Sequence, residues 1–164
     1  MATHPPFRVL ILCTGNSARS IIGEYLLRAK GGGRFEVLSA GSQPTGRVNP
    51  LAIRVLREKY GIDASGARSK SFDEFRDQAF DFVITVCDNA RESCPVWPGQ
   101  PVVAHWGSPD PAAASGTEEE KFRVFVEVAE QIASRVAVFC GYSDEMLRDA
   151  AAVRSVGWRF KLGA

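Results

Sequence analysis

The sequence has no strong excess of either charge and no long apolar run near its start, and these absences exclude two classes of protein. Its 164 residues carry 20 Lys and Arg against 19 Asp and Glu, whereas general nucleic-acid and membrane-surface binders have a clear basic excess. The apolar run at 9–13 is far shorter than the ~20 residues that span a bilayer. No basic segment followed by an apolar one, as in a signal peptide, precedes it. We therefore expect a cytoplasmic protein that binds neither nucleic acid nor membranes.

The sequence also has no internal repeat, no low-complexity tract and no long linker. Since ~150 residues is the usual size of one domain, we expect a single domain at 1–164. Its core is predicted at about 7–140, and the C-terminal extension at 141–164 is predicted to hold one short helix. The four cysteines are not expected to form a structural disulfide framework in a cytoplasmic protein. They remain candidates for core positions, metal ligands or chemistry.

Strand and helix patterns alternate along the chain. Short apolar runs predict strands at 7–13, 35–40, 80–86 and 101–106. Amphipathic spacing and capping residues predict helices at 19–30, 50–60 and 118–139. This alternation predicts an α/β fold of three layers, in which a four-stranded parallel sheet of order 2-1-3-4 has helices on both faces. Ligands bind such sheets at the carboxyl ends of the strands, where Cys13, Cys87 and Asp110 are all expected.

The segment from Cys13 to Ser20 has the form Cys-x5-Arg-Ser between a strand and a helix. A short loop of this kind can direct its backbone N–H groups at an anion, and Arg19 can reach the same anion with its guanidinium. The same positive field is expected to lower the thiol pKa of Cys13 from ~8.5 toward ~3.5–7.5 and make it a nucleophile. The alternative is a buried strand-end cysteine beside a solvated arginine. The predicted oxyanion-binding residues are Thr14, Gly15, Asn16, Ser17, Ala18, Arg19 and Ser20.

Cys87 and Cys94 form a Cys-x6-Cys segment after the third strand. Zinc sites use four ligands, commonly with Cys-x2–4-Cys spacing, so this pair is too widely spaced and has only His105 as a further ligand nearby. Redox chemistry fits better, because Cys87 would lie near Cys13 across the sheet edge. Two incidental cysteines are the remaining alternative. Cys140, at the end of the long helix, is expected in the core.

Asp110 lies between two prolines in a turn-rich loop after the fourth strand. The prolines restrict the backbone and would hold the carboxyl in place. A carboxylic acid above the anion site can donate a proton to a leaving oxygen. An ordinary turn aspartate is the alternative.

Together these segments resemble the low-molecular-weight protein tyrosine phosphatase superfamily and, within it, the thioredoxin-coupled arsenate reductase branch. The resemblance extends from about 7 to 139. It rests on residues 9–20, 39–41, 48–50, 87–95 and 105–111.

The resemblance implies arsenate reduction to arsenite, and hence arsenic detoxification. Cys13 would be the nucleophile, Arg19 the oxyanion clamp and Asp110 the general acid, and Cys87 and Cys94 would form a redox relay. Arsenate or phosphate would bind, and no cofactor or metal would be held. An external thiol reductant is implied, either thioredoxin or glutaredoxin with glutathione.

Three alanines follow Asp110-Pro111, at 112–114, where the family's phosphatases usually have tyrosines. This departure weighs against a phosphotyrosine substrate, although a phosphatase acting on phosphate monoesters is the main alternative. A non-catalytic redox sensor or arsenic-binding module is a third possibility.

A second departure concerns the cation pocket of the family. Some reductases hold potassium with ligands that match Asn16, Glu24 and Ser39 and with a further carboxylate. Lys70 falls at the position of that carboxylate. An ammonium there could replace the ion and pair with Glu24, so we expect no potassium requirement. The alternative is that Lys70 and the neighbouring Arg68 are solvated loop charges.

Overall fold

A four-stranded parallel sheet lies at the centre of the structure, a computed structural model that describes residues 5–158. Its strands are β1 (Phe7–Cys13), β2 (Phe35–Gly41), β3 (Phe82–Thr85) and β4 (Val102–His105). They pair in the order β2-β1-β3-β4, all parallel. The predicted fold class and strand order are therefore confirmed.

Six α-helices occur in the described residues. They are α1 (Arg19–Gly31), α2 (Pro50–Tyr60), α3 (Asp88–Glu92), α4 (Glu118–Gly141), α5 (Asp144–Leu147) and α6 (Ala150–Ser155). Local signals explain two of the N-termini. Asn49 caps α2 ahead of Pro50, and Thr117 with Glu120 forms a capping box at α4. No helix within residues 5–158 is both long and apolar enough to cross a membrane.

Both faces of the central strand β1 are buried. Val9, Leu10, Ile11 and Leu12 are each at most 2 % exposed, although successive side chains point to opposite faces. A Cβ on Gly23 of α1 would lie 3.3 Å from Ile11 and 3.8 Å from Ile132 of α4, so α1 and α4 cover one face.

The opposite face is covered by an aromatic cluster. Arg8 lies on this face with Leu10 and Leu12, and its guanidinium stacks on Phe80. The Phe80 ring makes an edge contact with Trp97, which also contacts Phe72 of the short 3₁₀ helix Phe72–Phe75. The sheet is therefore sandwiched between two apolar layers, as the fold class requires.

The C-terminal segment differs from its prediction. One short helix was expected at 141–164, but the structure has two, α5 and α6. They are separate because each has its own N-cap, Ser143 for α5 and Asp149 for α6. The helix α6 packs beside β4, where Arg154 donates to the Val103 carbonyl. Val153 and Val156 are fully buried, so this segment covers the edge strand and shares the main core.

Candidate active site

The loop from Cys13 to Ala18 is shaped by the segment that follows β2. The carbonyls of Cys13, Thr14, Gly15 and Ser17 accept hydrogen bonds from the backbone N–H groups of Ser42, Gln43, Thr45 and Asn49, respectively. Across a planar trans peptide the N–H points opposite to the carbonyl. The loop N–H groups therefore turn away from 42–49 and toward the inside of the loop, as an anion site requires.

Gly41 allows this close approach of β2 to the loop. A Cβ at this position would lie 2.4 Å from the Thr14 carbonyl oxygen. In the sequence, residues 39–41 and 48–50 are recognisable only as stretches that match the family. Their role as the outer support of the loop becomes visible in the structure, because those contacts join residues far apart in the chain.

The Cys13 thiol lies at the base of the loop and is 4 % exposed. Burial raises the pKa of Cys13, while hydrogen bonds from Ser20 and from the Asn16 N–H oppose that rise. The Ser20 Oγ is 2.8 Å from the sulfur, and the Asn16 N is 3.1 Å from it. The predicted lowering of the thiol pKa is therefore wrong for this structure. The sequence showed the donors but not the depth of the sulfur, and burial penalises the thiolate.

Asn16 anchors the loop from beneath. It has a left-handed backbone, with φ of 46°, which is uncommon for a side-chain-bearing residue. Its side chain is fully buried and donates to Ser20 and Ser39 at 2.8 and 3.0 Å. Its amide oxygen accepts from the Lys70 backbone N–H. This network holds the unusual backbone in place.

Lys70 fills the pocket beside Asn16. Its Nζ is 3.3 Å from both the Asn16 Oδ1 and the Ser39 Oγ, and 3.9 Å from a Glu24 oxygen. Glu24 also accepts from Ser39 and from Arg28. Burial lowers the pKa of Lys70, and the Glu24 charge opposes that shift. The ammonium thus lies among the three residues that were predicted to surround it.

Arg19 and Asp110 are brought together above the loop. The Arg19 Nη1 donates to the Ser108 carbonyl at 2.9 Å, and its Nη2 is 3.9 Å from the Asp110 carboxylate. The buried Arg135 of α4 supports this segment by donating to the Gly107 carbonyl, and it joins the segment to the C-terminal part of the chain by donating to the Gly157 carbonyl. Arg135 is a residue that sequence reasoning missed, since an arginine within an amphipathic helix gives no sign of burial.

Cys87 lies at the rim of the loop. Its sulfur is 3.4 Å from the Thr14 Oγ1, which in turn accepts from the Asn89 side chain at 2.9 Å. Cys87, Arg19 and Asp110 line one cavity of about 600 Å³. Cys13, Cys87 and Asp110 were predicted at the carboxyl edge of the sheet. In the structure Cys87 contacts Thr14 of the loop that holds Cys13, and Asp110 lies beside Arg19 at the end of that loop.

Cys94 lies beyond the far end of α3. Cys87 is the N-cap of that helix, and Cys94 follows its C-cap residue Ser93. Cys94 is half-buried, and burial raises its pKa while a contact with Trp97 opposes the rise. Cys13, Cys87, Cys94 and Cys140 are all free thiols. The structure therefore does not bring Cys94 to Cys87 while α3 is formed.

Several further residues line the cavity, among them His105 and Trp158. His105 bridges Thr85 and Asp88, and Trp158 is 72 % exposed. Neither offers a metal site, and no group of three or more His, Cys, Asp or Glu within 5–158 has a metal-binding arrangement.

Comparison with known proteins agrees with this geometry. The family model described as low molecular weight phosphotyrosine protein phosphatase matches residues 8–151. A relative from Halalkalibacterium halodurans, named arsenate reductase, is 40% identical over 131 residues, which are 80% of this chain and 93% of that protein.

Two solved structures are also similar. One, described as an arsenate reductase in the phosphate binding state, has a TM-score of 0.70 and 30% identity, and the match covers 82% of this chain and 96% of that one. The other is a thioredoxin-dependent arsenate reductase from Corynebacterium glutamicum, with a TM-score of 0.58 and 27% identity, covering 84% of this chain and 65% of that one.

Proposed function

The chain belongs to the low molecular weight phosphotyrosine protein phosphatase family, and from that premise we propose that it reduces arsenate to arsenite through three cysteines. The observation that carries the proposal is the position of Cys87, a second free thiol at the rim of the loop that holds Cys13. A hydrolytic phosphatase needs one nucleophilic thiol, whereas reduction needs a second thiol that can reach the first.

In the first step the loop holds the tetrahedral oxyanion, with Arg19 binding two of its oxygens. The Cys13 thiolate attacks arsenic and forms an S–As bond. Asp110 donates a proton to the departing oxygen, which leaves as water. The carboxylate is suited to this role because it lies beside Arg19 and lines the same cavity.

In the second step Cys87 attacks the Cys13 sulfur. A Cys13–Cys87 disulfide forms while the S–As bond breaks, and the electron pair leaves with arsenic. Arsenic(V) is thereby reduced to arsenic(III), and the two thiols supply both electrons. Thr14 favours this step because its hydroxyl contacts the Cys87 sulfur next to the loop.

In the third step Cys94 attacks Cys87, which frees Cys13 and leaves a Cys87–Cys94 disulfide. A helical path of seven residues extends ~10 Å, whereas disulfide Cα atoms lie roughly 4.4–6.8 Å apart. The helix α3 must therefore unwind during this step. An external thiol reductant then restores the pair, and we propose thioredoxin, with glutaredoxin and glutathione as the alternative. Such a relay needs reduced thiols, so we place it in the cytoplasm.

The test is arsenate-dependent NADPH oxidation with thioredoxin and its reductase. We expect multiple turnover by the wild type and none by Cys13→Ser, Cys87→Ser or Cys94→Ser, while the control Cys140→Ser keeps the wild-type rate. The proposal fails if the wild type does not turn over arsenate and hydrolyses para-nitrophenyl phosphate in a reaction that only Cys13→Ser abolishes. That outcome would show a phosphatase.

A further inference from the structure

The imidazole of His105 forms hydrogen bonds to one residue before Cys87 in the sequence and to one residue after it. Its Nδ1 is 2.8 Å from the Thr85 Oγ1, two residues before Cys87, and its Nε2 is 3.1 Å from the Asp88 Oδ1, one residue after it. The ring thereby connects the end of β3 to the first residue of α3, across the position of the second thiol.

The chemistry of the two partners determines the tautomer. The Asp88 carboxylate only accepts hydrogen bonds, so the Nε2 carries the proton and donates it. The Nδ1 then accepts from the Thr85 hydroxyl. Burial lowers the pKa of His105, and the nearby Arg91 adds to this effect. The neutral ring thus satisfies both neighbours.

The His105 ring packs closely against Gly107. A Cβ at Gly107 would lie 2.8 Å from the His105 Nε2, so a larger residue at 107 would displace the ring. The side chain of His105 is 22% exposed, whereas that of Asp88 is 78% exposed. The ring is therefore the fixed partner, and α3 is the element that can leave it.

We propose that His105 is a positioning residue that latches α3 in the helical form, so that Cys87 stays directed at Cys13 until the first disulfide has formed. This inference rests on the proposed function. The second contact of α3 with the loop, from Asn89 to Thr14, acts in the same direction. Release of both contacts lets α3 unwind and lets Cys94 reach Cys87.

The latch predicts opposite effects on two consecutive steps. Without the Asp88 contact, attack of Cys87 on the Cys13 adduct slows, because the thiol is less well placed. Closure of the Cys87–Cys94 disulfide becomes faster, because α3 opens more readily. One lost hydrogen bond corresponds to a change of about three- to tenfold in each rate.

Two parent variants, Cys94→Ser and Cys13→Ser, allow formation of the first and of the second disulfide to be measured separately. In Cys94→Ser, release of arsenite in a single turnover reports the first disulfide. In Cys13→Ser, oxidised glutathione drives formation of the Cys87–Cys94 disulfide, which thiol trapping and mass spectrometry follow. Each parent variant receives His105→Ala, Asp88→Ala or the conservative Asp88→Asn, which keeps an accepting oxygen. Glu92→Ala, an exposed change on the same helix, is the matched control.

We expect His105→Ala and Asp88→Ala to slow arsenite release and to accelerate closure, with Asp88→Asn and Glu92→Ala close to the parent rates. If arsenite release and disulfide closure both slowed by the same factor, His105 would have a general structural role and the latch would be wrong. The latch would also be wrong if neither rate changed. If Cys94→Ser with His105 intact releases no arsenite, the proposed function fails. The closure assay still decides the latch in that case.

Discussion

Ionisation of the Cys13 thiol depends on two opposing influences. Burial raises its pKa, whereas Ser20 and Asn16 stabilise the thiolate by hydrogen bonds. Because the thiolate is the nucleophile, a raised pKa leaves a smaller reactive fraction at pH 7. The reactive fraction grows as the pH rises toward the pKa.

We therefore expect alkylation of Cys13 by iodoacetamide to accelerate about tenfold per pH unit below its pKa. Ser20→Ala removes a hydrogen bond that lowers the pKa, so its profile should shift to higher pH. Rates are measured on Cys87→Ser/Cys94→Ser/Cys140→Ser protein, so that one thiol reacts. Ser134→Ala, whose hydroxyl donates only to the Glu130 carbonyl within α4 among the hydrogen bonds of the described residues, serves as control. A profile unchanged by Ser20→Ala would contradict the assigned role of the hydroxyl.

The Lys70 Nζ lies 3.9 Å from a Glu24 oxygen, where we predict that it takes the place of a monovalent cation. We expect the arsenate reductase rate of the wild type to differ by less than about twofold between potassium and sodium at equal ionic strength. Lys70→Ala opens the pocket and leaves the oxygens of Glu24, Asn16 and Ser39 around it. This variant should be slower in sodium and recover in potassium.

The neighbouring Arg68→Ala is the control, since that side chain is exposed and pairs with Glu74. A wild-type rate doubled by potassium would contradict the substitution of the ion by lysine. Loss of activity in Lys70→Ala without recovery in potassium would show a purely structural role.

For individual residues, the sequence predicted the chemical groups of the Cys13 loop better than the hydrogen bonds that hold the loop in place. Cys13, Arg19 and Asp110 were identifiable because they lie in short segments with a chemical logic of their own. The hydrogen bonds from Ser42 and Asn49, and the bridge made by His105, join positions far apart in the chain. Such contacts follow from the packing of elements and leave no local pattern.

Among the elements, the strands and long helices follow from periodicity and caps. The run at 9–13 is apolar throughout because β1 is buried on both faces there, and Gly61, with φ of 65°, ends α2. The C-terminal segment was less predictable. Its two helices are four and six residues long, too short for a helical period to appear in sequence.

Gly157, near the end of the described C-terminal segment, packs tightly against the last residue of β4, and a substitution there can test the position of this segment. A Cβ on Gly157 would lie 1.9 Å from the His105 carbonyl oxygen. Gly157→Ala must therefore push the backbone apart beside β4, which we expect to cost about 1–3 kcal/mol. In a domain of this size each kcal/mol lowers Tm by about 2–4 °C. Thermal denaturation followed by circular dichroism measures the change.

Gly141→Ala is the matched control, because nothing lies within 4 Å of a Cβ there and the residue is the last of α4. It should leave Tm unchanged or raise it slightly. Equal Tm values for the two variants would show that the C-terminal segment is not seated on β4 as described.

For the whole molecule, the anion loop is a place where ligand binding and folding are coupled. Parts of the chain that are distant in sequence support this loop or lie beside it. They are the loop after β2, Lys70, and the loop at 107–111 that carries Asp110 and is held by Arg135. A ligand that binds only the assembled loop therefore stabilises every element that builds it.

This coupling predicts that arsenate or phosphate raises Tm. At 100 times Kd the stabilisation is about 2.7 kcal/mol, which corresponds to a rise of about 5–10 °C. Arg19→Ala removes the guanidinium and should abolish most of the rise, while Arg123→Ala, an exposed change on α4, should keep it. Differential scanning fluorimetry in arsenate, with chloride at equal ionic strength as reference, measures both. An equal rise in Arg19→Ala would mean that the oxyanion binds elsewhere, and the role of the loop would then be wrong.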